Sequence, residues 1–162
     1  VRALGDAVGR YLAGLDERVL VIGSGGLSHD PPVPRWETAS DGVRAFLLAG
    51  RNPSPEARAA RQRRVIEGGL SFAAGTSALQ PLNPAWDNRF LDVCSSGDLA
   101  EFDSWTPAAM TADGGHSSHE VRSWVAAFAA LAASGPYEVV DRYYRAIPEW
   151  IAGFGYLAAS TR

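Results

Sequence analysis

Cysteine is almost missing from this 162-residue chain. Cys94 stands alone, which excludes an intrachain disulfide and makes a reducing, cytoplasmic setting the expectation. Long apolar runs are missing as well: the longest, residues 124–133, is too short to cross a bilayer and too alanine-rich to anchor on one, so no membrane partner is expected. Nor is there an excess of one charge. A net charge of −3 leaves no footprint for nucleic acid, and the cluster Arg58, Arg61, Arg63 and Arg64 is flanked by Glu56 and Glu67, as on a solvated helix face. There is no signal-peptide pattern, internal repeat or low-complexity tract. What remains, 46% hydrophobic and 20% charged residues, is ordinary for a globular protein, and the length suits a single domain or half-domain over residues 1–162.

Periodicity sketches an α/β chain. Leu4, Val8, Tyr11, Leu12 and Leu15 recur at spacings of three and four and predict an amphipathic helix, with Val1 already inside it, so a fragment or a processed chain is expected. Residues 18–23, Arg-Val-Leu-Val-Ile-Gly, lack polar alternation and predict a strand buried on both faces. Helices are predicted over 55–70, between prolines and Gly68-Gly69, and again after Asn83-Pro84, with Trp86, Phe90, Leu91 and Cys94 on one side. Ser96 or Asp98 is placed to cap a short helix through Leu99, Phe102 and Trp105. The longest helix is expected over 118–133 and a strand over 137–147; the aromatic tail 148–159 is expected to pack on the domain or on a neighbouring subunit.

Chemistry concentrates in two places. The first is Gly23-Ser24-Gly25-Gly26-Leu27-Ser28-His29-Asp30-Pro31-Pro32, a glycine turn that presents a histidine and is stiffened by prolines on its far side. Histidine titrates near neutrality, so His29 suits proton transfer, while a turn-fixing hydrogen bond is its plainer role. The glycines are not a dinucleotide fingerprint, because Ser28 holds the third glycine position and the prolines deny the helix that follows. Ser28-His29-Asp30 is no catalytic triad, since sequence neighbours do not aim their side chains at one another. The second place is Gly114-Gly115-His116-Ser117-Ser118-His119-Glu120-Val121-Arg122-Ser123-Trp124. There Ser117 and Glu120 fit a capping box, and His116 and His119 lack the His-Glu-x-x-His spacing of zinc proteases. Trp36, Phe46, Trp105, Tyr143, Tyr144 and Trp150 suit a core better than an aromatic pocket. Arg122 and Arg145 could answer a substrate carboxylate but suit surface or ion-pair roles, and Cys94 reads as an inert buried thiol.

These two segments, followed by Tyr143-Tyr144-Arg145-Ala146-Ile147-Pro148-Glu149-Trp150-Ile151-Ala152-Gly153-Phe154-Gly155, resemble in order the class III extradiol ring-cleavage dioxygenases across almost the whole chain, and most closely the branch that opens a carboxyethyl-substituted catechol. The resemblance implies an α/β fold with a mixed or largely parallel sheet and flanking helices, here the carboxyl-terminal half. It also implies a homo-oligomer, Fe(II) as cofactor, and a catechol and O2 as substrates. It makes His29 the acid/base residue and Glu120 the single carboxylate ligand of a two-histidine, one-carboxylate iron site. Ser24, Gly25 and His119 become pocket or supporting residues. The family's two iron histidines lie in an amino-terminal half that these residues do not include, so the chain alone is not expected to complete an iron site. The alternatives are a non-catalytic binding or structural domain that retains the scaffold, or a half-site completed by a partner chain.

Overall fold

A computed structural model describes residues 1–34, 36–50 and 52–161. In chain order the regular elements are α1 (Arg2–Leu12), α2 (Asp41–Ala49), α3 (Pro55–Ala73), α4 (Pro84–Ser96), a 3-10 helix (Leu99–Ser104), α5 (Pro107–Gly114), a second 3-10 helix (His116–Val121), α6 (Arg122–Ala132), β1 (Tyr137–Ile147), a 3-10 turn (Pro148–Trp150) and β2 (Ala152–Thr161). They form two compact units.

The larger unit holds α1, α4 to α6 and the β1–β2 ribbon. Its core is Phe90, Leu91 and Cys94 of α4 against Leu27, Val121, Trp124, Val125 and Phe128. Burying each large apolar side chain of this kind contributes roughly 1.5–3 kcal/mol. Phe90 meets Phe102 in a tilted contact at a ring-centroid distance of 5.0 Å, and Trp124 and Trp105 edge-on at 6.0 and 6.1 Å. Burial pushes the Cys94 thiol far up, so it stays protonated. The two strands pair antiparallel from Tyr137 with Thr161 to Ile147 with Ala152, with an irregularity between Val139 and Asp141. The smaller unit, Pro31–Leu79 with Pro148–Ile151, carries α2 and α3. Ser40 and Ser54 cap these helices through their hydroxyls, and Gly69 lets α3 come against the backbone of Glu149.

Several expectations change here. The only sheet among the described residues is antiparallel, so the expected parallel sheet is not found there. Residues 18–23 form no regular element and pair with no strand among the described residues; Leu20 and Ile22 are 82% and 76% exposed instead of buried. An apolar run predicts burial only if neighbouring strands cover it, and none does here. The stripe of α1 is also inverted: Leu4, Val8 and Tyr11 face outward, while Gly5 and Gly9 meet α6, where any Cβ would overlap the backbone of Ala126 and Ala130. The longest helix is α3, because the expected 118–133 helix begins as a 3-10 turn and becomes α-helical only at Arg122. Ser96 accepts from the Asp98 amide, but no side chain caps the 3-10 helix that follows. No described helix is long and apolar enough to cross a membrane.

Because α1 and α6 touch through glycine, Gly9→Leu is expected to lower stability by about 1–3 kcal/mol through overpacking. Urea denaturation checks this as a lower midpoint at unchanged slope. An unchanged midpoint would show that the two helices do not pack here.

Candidate active site

The glycine turn runs along the start of α6 at backbone contact. A Cβ at Gly23 would lie 2.7 Å from the Ser123 carbonyl oxygen, and one at Gly25 would lie 2.6 Å from the Glu120 Cβ. Only hydrogen fits at either place. Side chains of α6 then tie the turn down: the Ser123 hydroxyl donates to the Ser24 carbonyl (2.5 Å) and Trp124 Nε1 donates to the Gly25 carbonyl (3.1 Å). The Gly26 amide in turn donates to Glu120 Oε2 at 3.2 Å. Glu120 therefore does not close the capping box expected of it. Its residue lies in a 3-10 turn without a side-chain cap, and its carboxylate reaches across to the glycine turn.

His29 is held from several directions. Its amide donates to the Gly114 carbonyl (2.8 Å), and its carbonyl accepts from the Ser117 amide (3.3 Å). Gly115 between them has φ +89, and a Cβ there would lie 2.5 Å from the His29 carbonyl oxygen. In the ring, Nδ1 lies 2.7 Å from the Leu27 carbonyl. A carbonyl only accepts, so Nδ1 carries the hydrogen and the neutral imidazole offers the lone pair of Nε2. That Nε2 lies 3.6 Å from Glu120 Oε2, with the His29 side chain 12% exposed and that of Glu120 58% exposed. The structure thus sets a proton acceptor beside an accessible carboxylate, although the two residues are 91 positions apart in the sequence.

The other named residues have different partners. Asp30 accepts from His116 Nδ1 at 3.3 Å, so it answers His116 rather than its neighbour His29. His119 shares a 2.8 Å hydrogen bond with the Thr111 hydroxyl of α5, and burial, then the positive charges of Arg122 and His116, lower its pKa. Ser24 and Gly25 contribute backbone carbonyls. A cavity of about 280 Å³ lined by Phe90, Trp105, Met110 and Arg122 includes neither His29 nor Glu120.

Sequence reasoning missed Asp87. Its carboxylate is fully buried on α4, where Oδ1 accepts from the Ser28 amide (2.6 Å) and Oδ2 accepts from the hydroxyls of Ser28 (2.8 Å) and Tyr144 (2.7 Å). Burial raises its pKa, against the opposing pull of those bonds and of nearby His29. A signal existed: Asp87 shares the face of Phe90, Leu91 and Cys94, and a carboxylate on the apolar side of an amphipathic helix needs a partner.

Among the described residues, no three His, Cys, Asp or Glu side chains are grouped to hold a metal. The donor chemistry fits one ligand and not a complete centre: Glu120 is accessible, with one oxygen already steadied by the Gly26 amide.

Comparison with known proteins sets this geometry in context. Residues 1–155 match the family described as the catalytic LigB subunit of aromatic ring-opening dioxygenase. A protein of Rhodococcus sp named 2,3-dihydroxyphenylpropionate/2,3-dihydroxicinnamic acid 1,2-dioxygenase is 59% identical over 159 residues, 98% of this chain and 51% of the relative. Proteins of the same name from Burkholderia vietnamiensis (strain G4 / LMG 22486) and Rhodococcus globerulus are 58% and 54% identical, over 99% and 100% of this chain and 51% and 52% of their own lengths. The chain spans about half the length of the curated relatives it matches.

Gly115→Ala is expected to cost about 1–3 kcal/mol from backbone strain alone and to speed amide hydrogen exchange at His29. Gly42→Ala is the control, since its Cβ would meet nothing within 4 Å. Thermal unfolding and exchange mass spectrometry read both variants, and equal behaviour of the two would refute the junction.

Proposed function

The chain belongs to the family of catalytic LigB subunits of aromatic ring-opening dioxygenases, and we propose that its His29–Glu120 pair is the acid/base and metal-binding share of an extradiol centre acting on 2,3-dihydroxyphenylpropionate. The observation that carries this reading is the 3.6 Å approach of His29 Nε2 to Glu120 Oε2, with Nδ1 committed to the Leu27 carbonyl. The relatives' names supply the substrate, a catechol with a carboxyethyl side chain.

In this reading Glu120 gives one carboxylate donor to Fe(II), and two further protein ligands come from outside the residues described. Fe(II) held there would supply sites for the two catechol oxygens and O2 and a route for electron density between them. The chain's own work is positioning and proton transfer. His29 Nε2 accepts a proton from a catechol hydroxyl. The imidazolium then returns the proton to oxygen as the ring opens beside its two hydroxyls, with both atoms of O2 retained in the product. Leu27 keeps the ring in one tautomer throughout, so Nε2 is always the nitrogen that exchanges the proton.

Anaerobic Fe(II) titration followed by oxygen uptake with 2,3-dihydroxyphenylpropionate tests the reading. The 162-residue chain alone is expected to bind less than stoichiometric iron and to yield no yellow ring-opened product. In the enzyme that contains it, His29→Ala is expected to lower kcat by about 10²- to 10⁴-fold with iron content retained, while Glu120→Ala loses the iron. Full turnover by His29→Ala, or full iron content in Glu120→Ala, would remove the corresponding role.

A further inference from the structure

We propose that Asp87 is the positioning residue of the His29 loop, acting through Ser28 to hold the acid/base imidazole in register with Glu120; the inference rests on the function proposed above. Asp87 is fully buried, and two of its three hydrogen bonds go to Ser28, the residue immediately before His29. Ser28 is itself fully buried and has no free polar atom. Its amide and hydroxyl donate to Asp87, its hydroxyl accepts from the Asn83 amide (2.9 Å), and its carbonyl accepts from the Gly153 amide (2.8 Å). Leu27, whose carbonyl fixes the His29 ring, donates its own amide to the Gly153 carbonyl (3.1 Å).

The arrangement runs in one direction, from α4 to the loop. Asn83 caps α4 through its side chain while its amide donates to the Ser28 hydroxyl, so one residue ties the first turn of the helix to the loop. Gly153 admits the carboxylate, since a Cβ there would overlap Oδ2. An apolar residue at position 87 would suit this helix face at lower desolvation cost. What the carboxylate adds is direction: two oxygens that dictate where the backbone and hydroxyl of Ser28 stand. The next amide donates to the Gly114 carbonyl, so the backbone on both sides of the His29 Cα is held by hydrogen bonds. Tyr144 closes the remaining acceptor position on Oδ2, and no buried polar side-chain atom among the described residues is left without a partner.

The test is steady-state ring opening of 2,3-dihydroxyphenylpropionate by the Fe(II)-loaded enzyme containing this chain, with thermal unfolding of each variant alongside. Asp87→Asn keeps the shape but removes the charge and one acceptor oxygen, so the Ser28 and Tyr144 hydroxyls must turn from donating to accepting. It is expected to lower kcat about 10- to 100-fold, the effect of a displacement on the ångström scale, with KM and iron content close to wild type. Tyr137→Phe is the control for stability alone: it loses a hydrogen bond to the Cys94 carbonyl on the same helix, and is expected to lower the melting temperature while kcat stays at the wild-type value. In metal-free protein, amide exchange at Ser28 and His29 is expected to quicken in Asp87→Asn and not in Tyr137→Phe.

If Asp87→Asn does not fold, Ser28→Ala decides in its place. It keeps the amide bond to Asp87, loses the hydroxyl bond, and is expected to lower kcat in the same direction by a smaller factor. Wild-type kcat and unchanged exchange in the folded variant would overturn the proposal while leaving the dioxygenase reading intact. A wild-type enzyme that opens no catechol would overturn that reading, and this proposal with it.

Discussion

The backbone contact between the glycine turn and the start of α6 is the constraint on which everything else in the site depends. Gly23 and Gly25 bring two main chains closer than any Cβ allows, and the Ser123 and Trp124 side chains secure that approach with hydrogen bonds to turn carbonyls. Once the chains are this close, the Gly26 amide finds the Glu120 carboxylate without any search by a long side chain. The same approach, continued at Gly115, fixes His29 by its own amide and carbonyl. Rotamer entropy is therefore a small part of assembling the pair, because main-chain geometry has already done most of the ordering.

Local periodicity made part of the fold legible. The α3 and α4 starts were marked by proline after a cap residue, the buried side of α4 by Trp86, Phe90, Leu91 and Cys94, and β1 by its valines and tyrosines. The strand β2 was not legible, because Ala152, Gly153, Gly155 and Ala158 carry little strand preference; it forms because β1 lies beside it as a template. The α2 and α5 helices went unread for a similar reason, being nine and eight residues long and too short to show several turns of periodicity. Residues 18–23 failed in the opposite sense. Their composition suits a buried strand, but burial belongs to the partners a strand finds and not to the strand itself.

Within the site, His29 and Glu120 were legible as residues, since a histidine on a glycine turn and a carboxylate in a second motif both stand out. Their meeting was not, because it depends on glycine contacts between distant segments. The capping-box pattern at Ser117 and Glu120 illustrates the difference: the spacing is correct, but the 3-10 turn denies the helix start that a cap would serve, and a better donor stands across the junction. Asp87 is hidden in the sequence because it is the one charged residue on a helix face otherwise marked by its apolar residues.

This construction separates chemistry from geometry. The atoms proposed to function belong to two side chains, while their placement belongs to hydrogens at Gly23, Gly25 and Gly115 and to the buried bonds of Ser28. Shortening a side chain at position 29 removes a proton acceptor, and at position 120 a carboxylate with its bond to the Gly26 amide, but either leaves the bonds of the His29 amide and carbonyl to Gly114 and Ser117 in place. A methyl group at Gly25 or Gly115 does the reverse, disturbing the approach while both functional groups remain. The two kinds of change therefore differ, one altering the paired groups and the other the fraction of molecules in which those groups meet. A site arranged this way can vary its chemistry without rebuilding its fold, provided the glycine contacts persist.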